Sequence, residues 1–163
     1  MGVRGKRYKL WWSRNDAGTG GVGILVQEEL CEKIVEVRRR SDRVMVMVLA
    51  FKEEIVRVVS AYVPKRGRTD IEKDGFYDEM ASEWNLQRKN EMVLGFGDFS
   101  GHVGKYADGF EGVHGDNGIG ERNAEGRRLL EFCDERELYA TDTWFNKKKK
   151  RKVTFSAGGN ESK

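Results

Sequence analysis

The spacing of apolar and polar residues along the chain predicts several strands and two helices. Val22–Gln27 and Ile55–Val63 have the composition of strands, and Val44–Phe51 is apolar at consecutive positions, which predicts a strand buried on both faces. The polar residues 52–54 favour a hairpin between the last two of these strands. The basic and aromatic segment that ends near Asp16 is typical of an edge strand.

Two segments change to helical spacing. The first runs from Asp70 to about Lys89, with Thr69 or Asp70 as its cap, and the second covers Ala124–Glu137, with Asn123 as its cap. Apolar residues recur on one face of each helix: Phe76, Tyr77, Met80, Ala81 and Trp84 in the first, and Leu129, Leu130 and Cys133 in the second.

Three further strands complete the pattern. Met92–Phe96 predicts a short buried strand, and Leu138–Phe145 and Lys152–Ser156 predict two strands around a basic turn. The order of strands, helix, strand, helix and strands indicates an α/β chain. Its 163 residues suit a single domain, and we expect one domain over residues 1–163.

Composition narrows the class of protein. Charged residues make up 35% of the chain and the net charge is +3, which permits a polyanionic partner without requiring one. The run Val44–Phe51 is far shorter than the roughly 20 residues of a membrane helix, and no apolar signal-peptide core follows Met1. We therefore expect an intracellular protein, nuclear or cytoplasmic, with no membrane partner. Cys31 and Cys133 match no metal-ligand spacing and are expected to be buried thiols.

The sequence Gly97-Asp98-Phe99-Ser100 follows the strand predicted at Met92–Phe96. Open α/β sheets bind ligands at the carboxyl ends of their strands, so Asp98 is placed where it could hold a divalent cation or orient a water for attack on phosphorus. A turn-capping role for Asp98 is the alternative. The segment Ser60–Pro64 ends the strand Ile55–Val63 in the same way, and Tyr62 would emerge near Asp98 if the two strands are close in the sheet. A core or rim tyrosine is the default interpretation of Tyr62.

Residues 147–152 are six consecutive basic residues. Three interpretations are open: a solvated turn, a contact with nucleic-acid phosphates, or a short nuclear-import signal. His102 and His114 lie in the loop after Asp98 without the spacing of metal ligands.

The order of these segments resembles the endonuclease/exonuclease/phosphatase superfamily. Gly21–Ile24 is similar to its early strand, Ser41-Asp42-Arg43 leads into the next strand, Val59–Pro64 is similar to its tyrosine strand, and Gly97–Ser100 is similar to its Gly-Asp-Phe-Asn motif. Asn123–Phe145 resembles the RTE-type branch of non-LTR retrotransposon endonucleases, which includes proteins of the craniofacial development protein 2 type. Residues 153–156 resemble the strand that follows.

This resemblance implies a four-layer α/β-β/α sandwich that hydrolyses phosphodiesters with Mg²⁺, with DNA as the ancestral substrate. It implies catalytic roles for Tyr62 and Asp98 and for Ser100 at the position of the family's asparagine. Asp98 would also be a metal ligand. It implies substrate contacts for the aromatic ring of Phe155 and for the basic side chains of the 147–152 run: Lys148, Lys150 and Arg151.

The chain also departs from the family. The hydroxyl of Ser100 is shorter than the amide that it replaces, and the family's metal-binding Glu, late Asp and terminal His have no counterpart in these residues. We therefore expect a partial sandwich, an incomplete domain truncated at both ends, that is a weak or inactive endonuclease. A non-catalytic nucleic-acid-binding remnant is the alternative. A small-phosphoester substrate is disfavoured by the Asn123–Phe145 segment, and a decayed element without function is not excluded by the sequence. Oligomeric state is left open.

Overall fold

The computed structural model describes residues 2–3, 5–16, 20–64, 67–147, 155–157 and 160–162, with the backbone alone at 2–3, 155–157 and 160–162. These residues form two compact units, Met1–Asp98 and Phe99–Lys163. The single-domain organisation expected from the chain length stays a prediction.

The first unit contains the predicted strands and helix in the predicted order, together with a strand at Ile34–Arg39 and a 3-10 helix that were not predicted. Its strands are β1 (Gly2–Val3), β2 (Lys6–Ser13), β3 (Val22–Gln27), β4 (Ile34–Arg39), β5 (Val44–Ala50), β6 (Ile55–Tyr62) and β7 (Glu91–Asp98). A 3-10 helix, Glu28–Lys33, joins β3 to β4, and the helix α1 (Asp70–Trp84) joins β6 to β7.

These strands form two sheets. One has the order β1-β2-β3 and the other β4-β5-β6-β7. Neighbours are antiparallel except β6 and β7, which are parallel because α1 carries the chain back to the starting edge of the sheet. The predicted hairpin between β5 and β6 is confirmed, with Ala50 opposite Ile55.

The strand β5 is the centre of the core. Its residues from Val44 to Leu49 are all buried, as their unbroken apolar sequence predicted. Met47 and Leu49 face the three-stranded sheet and pack with Val26, Trp11 and Ile24. The two sheets therefore pack face to face in this unit.

The helix α1 covers the other face of the four-stranded sheet. Phe76, Met80 and Trp84 are buried, and the Trp84 ring lies against Gly95 of β7. Thr69, one of the two predicted caps, begins the helix and forms a capping box with Glu72. The helix ends at Trp84, five residues earlier than expected. The first unit thus has three layers, helix, sheet and sheet, which agrees with a partial four-layer sandwich.

One expectation for β7 is wrong. Met92, Leu94 and Phe96 form a row on one face of this strand, and all three are exposed rather than buried. The physical reason is position: β7 is the edge of its sheet among the described residues, beyond the part of the face that Trp11, Ile24 and Val26 cover.

The second unit contains α2 (Ala124–Asp134), a 3-10 helix (Thr141–Thr143) and the short hairpin of β8 (Phe155–Ala157) and β9 (Asn160–Ser162). The Asn123 side chain accepts a hydrogen bond from Gly126 N at 2.7 Å, so its predicted capping role is confirmed. Leu130 and Cys133 are buried as expected.

The strand predicted at Leu138–Phe145 does not form. Residues 141–143 are a 3-10 turn, and the hydroxyl of Thr143 donates to Ala140 O at 2.6 Å. Ala140 N donates to Val113 O at 3.0 Å, so the backbone of this segment bonds to a loop and not to a strand. Of the strand predicted at Lys152–Ser156, residues 152–154 lie outside the described residues, and β8 begins at Phe155.

The long loop 99–123 is organised around one arginine. The Arg122 guanidinium donates to the carbonyl oxygens of Val103, Tyr106, Ala107 and Asp108, and it lies 4.9 Å from the ring centroid of Phe110. These bonds give a glycine-rich segment a defined conformation without regular secondary structure. No helix among the described residues is long and apolar enough to cross a membrane.

Candidate active site at the ends of β6 and β7

Two predicted site residues lie side by side. Tyr62 and Asp98 are paired across the parallel strands β6 and β7, at the last residue of each. Val63 N donates to Asp98 O at 3.0 Å, so the pairing continues to the end of both strands. Tyr62 is half-buried and Asp98 is exposed. The expectation that Tyr62 emerges near Asp98 is therefore confirmed. Both residues lie at the carboxyl ends of their strands, where open α/β sheets bind ligands.

A glycine makes this close pairing possible. A Cβ added to Gly97 would lie 1.8 Å from the carbonyl oxygen of Ala61 in β6. Only a residue without a side chain fits there, so Gly97 lets β7 approach β6 immediately before Asp98.

Arg43 holds Tyr62 from the other side. Its Nη1 donates to the carbonyl oxygens of Tyr62 at 3.2 Å and Val63 at 3.4 Å, and its guanidinium carbon lies 5.3 Å from the centroid of the Tyr62 ring. Tyr62 N donates to Arg43 O at 2.9 Å. A guanidinium at this distance is attracted to the ring face, so Arg43 fixes both the backbone and the ring of Tyr62 and adds positive charge beside the site.

Ser100 has an unusual backbone conformation. Its φ is 49°, in the left-handed region, where glycine and asparagine are the preferred residues. Ser100 follows Asp98 by two residues along the chain but belongs to the second unit. The backbone at this position thus has a conformation that suits an asparagine better than the serine that occupies it.

The metal-binding capacity of the site is limited in the described part of the chain. No group of three or more His, Cys, Asp or Glu side chains that could hold a metal ion occurs there. Asp98 offers one carboxylate, whereas Mg²⁺ needs about six oxygen ligands from protein, water and phosphate together. These residues alone therefore do not form a complete site for the Mg²⁺ that the resemblance implies.

Of the two histidines and the two cysteines, His114 and Cys133 are buried. Both ring nitrogens of the buried His114 have partners, because Nε2 is 3.1 Å from Gly104 O and Nδ1 accepts from Asp116 N at 3.1 Å. His102 is exposed. Burial raises the pKa of the Cys133 thiol to about 11, so it is not a thiolate at neutral pH. Cys31 is half-buried, so the expectation of two fully buried thiols holds for Cys133 alone.

The predicted substrate contacts of four further residues are not tested by the described part of the chain. Lys148, Lys150 and Arg151 lie outside the described residues. Phe155 begins β8, opposite Ser162, and its side chain is not among those described. Their suggested contacts with substrate stay predictions.

A solved structure has the same fold. The endonuclease domain of TRAS1, a telomere-specific non-LTR retrotransposon, superposes with a TM-score of 0.54 over 81% of this chain and 54% of that domain, at 15% sequence identity. The fold is of the endonuclease/exonuclease/phosphatase type. The fold class predicted from the sequence is therefore confirmed.

Sequence relatives agree with this endonuclease-like fold. Craniofacial development protein 2 from Bos taurus is 26% identical over 150 residues, which are 92% of this chain and 25% of that protein. Its counterpart from Tragulus javanicus is 24% identical over 150 residues, covering 92% of this chain and 26% of that protein. The chain thus spans about a quarter of the length of these curated relatives. No protein-family profile matches it.

Sequence reasoning missed the role of Arg43 in this endonuclease-like fold. The triplet Ser41-Asp42-Arg43 contributed to the resemblance, but no contact was assigned to it. The predicted hairpin was a partial signal, but the pairing of Ala50 with Ile55, which places Arg43 opposite Tyr62, is given by the structure and not by the apolar pattern.

Proposed function

We propose that the chain is a nuclease-like domain that binds DNA at the ends of β6 and β7 and, as these 163 residues alone, hydrolyses phosphodiesters weakly or not at all. The observation that carries this proposal is the pairing of Tyr62 with Asp98 at adjacent strand ends in an endonuclease-like fold. Function does not follow from a fold alone, so the argument depends on these side chains.

Each residue has a defined task in the proposed site. The exposed Asp98 carboxylate accepts a hydrogen bond from a water molecule and orients it toward phosphorus. The Tyr62 hydroxyl donates to a phosphate oxygen, and Arg43 holds the tyrosine ring in place while its positive charge favours the phosphate. Ser100 takes the position of the family's asparagine with a shorter side chain.

Weak activity is expected because phosphoryl transfer depends on a positioned cation and preorganised charge. The metal-binding Glu, late Asp and terminal His of the family have no counterpart in these 163 residues. Members of such a site act as a unit, so losing several removes nearly all of the rate enhancement. Binding depends mainly on charge and shape, so it is retained when hydrolysis is lost.

The test compares cleavage with binding in the same samples. Nicking of supercoiled plasmid is measured with Mg²⁺ and with a chelator for the wild type, Asp98→Asn and Ser100→Asn. Asp134→Asn, an exposed aspartate at the end of α2, is the matched control. Binding of a fluorescent DNA duplex is measured in chelator as a function of salt, after circular dichroism has shown that each variant is folded.

We expect duplex binding that weakens as salt rises, and Mg²⁺-dependent nicking close to the level of Asp98→Asn. Ser100→Asn should increase nicking, and Asp134→Asn should have no effect. A folded chain that binds no duplex would contradict the proposal. Rapid nicking that Asp98→Asn abolishes would contradict the expected weakness. Salt-dependent binding that Asp98→Asn leaves unchanged, with no nicking by any variant including Ser100→Asn, would favour the non-catalytic alternative.

A further inference from the structure

Three large aromatic side chains are exposed together after α2. Tyr139 is 64%, Trp144 43% and Phe145 59% exposed. The rings of Tyr139 and Trp144 meet edge to face, with centroids 5.7 Å apart and an interplanar angle of 80°. These three residues are called the aromatic patch below, because neighbouring exposed apolar side chains mark binding surfaces more often than singly exposed ones do.

Within the aromatic patch, Trp144 is held in place by a neighbouring loop. Trp144 Nε1 donates to Val113 O at 3.0 Å, and the neighbouring Thr143 is buried, its hydroxyl accepting from Gly115 N at 2.9 Å. A Cβ on Gly115 would lie 2.5 Å from Trp144 Cα, so the chain approaches this loop as closely as a glycine permits. Because Trp144 is fixed before any ligand arrives, little side-chain entropy is lost on binding.

Positive charge adjoins the aromatic patch. Lys147 Nζ lies 5.8 Å from the centroid of the Phe145 ring and also forms an ion pair with Asp142. In the sequence, Lys147 begins the run of six basic residues that ends at Lys152. A ligand that matches the three rings has flat aromatic faces, and the basic residues that follow Phe145 in the sequence favour one that is negatively charged.

We propose that Tyr139, Trp144 and Phe145 form a stacking surface for unpaired bases of a nucleic-acid strand. Proteins bind single strands by combining aromatic rings, on which bases stack, with basic residues that contact phosphates. The inference rests on the proposed function for the class of ligand, and it adds a second contact that requires neither Asp98 nor hydrolysis. A duplex keeps its bases stacked inside, so the aromatic patch distinguishes single strands from duplexes.

The test separates base stacking from charge. Binding of fluorescein-labelled dT20 is measured by anisotropy beside an abasic 20-mer with the same number of phosphates. Tyr139→Ala and Phe145→Ala remove rings from the aromatic patch, and Phe145→Leu keeps apolar volume without the aromatic face. Tyr106→Ala is the matched control, because Tyr106 is also exposed in the second unit and has Lys105 Nζ 4.7 Å from its ring centroid.

Each change within the aromatic patch should weaken dT20 binding by about five- to tenfold, which is the lower part of the range for loss of one stacked base. The abasic strand should bind all folded variants equally, and Tyr106→Ala should match the wild type. Unchanged dT20 binding by Tyr139→Ala and Phe145→Ala would overturn the inference, as would equal losses for dT20 and the abasic strand. If dT20 binds through the aromatic patch but no duplex is bound or nicked, the proposed function fails and this inference stands.

Discussion

Replacing Gly97 by alanine should damage both the fold and the candidate site. A Cβ at this position would lie 1.8 Å from Ala61 O, whereas real Cβ atoms essentially never come closer than 3.0 Å to such an atom. The obstacle is backbone, not the end of a flexible side chain, so β6 and β7 must separate by roughly 1.2 Å at this point.

The magnitude follows from what this separation disrupts. Overpacking of a well-packed region costs about 1–3 kcal/mol, and each weakened hydrogen bond between the strands adds about 0.5–1.5 kcal/mol. We therefore expect Gly97→Ala to lower the free energy of unfolding by about 2–4 kcal/mol, a large part of the roughly 5–15 kcal/mol of a typical domain. With a urea dependence of about 2 kcal/mol/M, the unfolding midpoint should fall by about 1–2 M.

Urea unfolding followed by circular dichroism measures this shift, and Gly75→Ala is the matched control. A Cβ on Gly75 meets no atom within 4 Å, and Gly75 lies inside α1, where alanine is favoured over glycine by about 0.5–1 kcal/mol. The same substitution should therefore destabilise at residue 97 and stabilise at residue 75. An unfolding midpoint for Gly97→Ala equal to that of the wild type would refute the close approach of β6 and β7.

Two further predictions concern buried ionisable groups. Glu91 Oε2 lies 2.7 Å from Arg57 Nη2, and both side chains are almost fully buried, so Glu91→Gln should lower the free energy of unfolding by about 3–5 kcal/mol. Replacing both Arg57 and Glu91 by methionine should restore most of the lost stability. A urea midpoint for Glu91→Gln within error of the wild type would contradict this expected destabilisation. Burial raises the pKa of Cys133 from 9.0 to about 11, so the folded chain retains a proton that the unfolded chain loses above pH 9. Stability should therefore fall between pH 9 and 11 by about 2–3 kcal/mol more in the wild type than in Cys133→Ala, and parallel pH profiles would disprove it.

The regular elements of the first unit could be predicted because local and tertiary preferences agree there. Val44–Leu49 is apolar at every position and is buried on both faces, and Thr69 with Glu72 specifies the start of α1. The exposure of one face of β7 could not be predicted in the same way. Met92, Leu94 and Phe96 have the composition of a core strand, but whether such a strand is covered depends on what packs on its face.

The prediction of a strand at Leu138–Phe145 was wrong for a different reason. Its Tyr, Thr, Trp and Phe residues all favour strands, but a strand needs a partner, and here the buried Thr143 and the bond from Ala140 N to Val113 O tie the backbone to a loop. A tertiary contact of this kind has no periodicity in the sequence. The same contacts leave Trp144 and Phe145 exposed as a surface.

For the candidate site, the sequence predicted that Tyr62 and Asp98 are neighbours, but it did not predict that Arg43 holds Tyr62. Tyr62 and Asp98 could be found because each ends a strongly predicted strand, and parallel neighbours end at the same edge. The stacking of Arg43 on Tyr62 depends on the register of β5 against β6, which an apolar pattern alone does not specify.

Tyr62 and Asp98 are positioned by contacts close to them in the chain fold, and this local support affects whether DNA binding or hydrolysis is the more robust proposed property. The β6–β7 register and the room provided by Gly97 place Tyr62 beside Asp98, and Arg43 holds the tyrosine, all within the first unit. A phosphate contact needs little more than this arrangement and its charge, whereas hydrolysis needs further ligands from other parts of a polypeptide. Ser100 illustrates the difference: its φ of 49° is a conformation suited to asparagine, whereas its side chain offers a hydroxyl and not an amide. Under the proposed function, binding that depends on backbone pairing is therefore expected to persist where catalysis is lost, and for this reason binding and nicking must be measured separately.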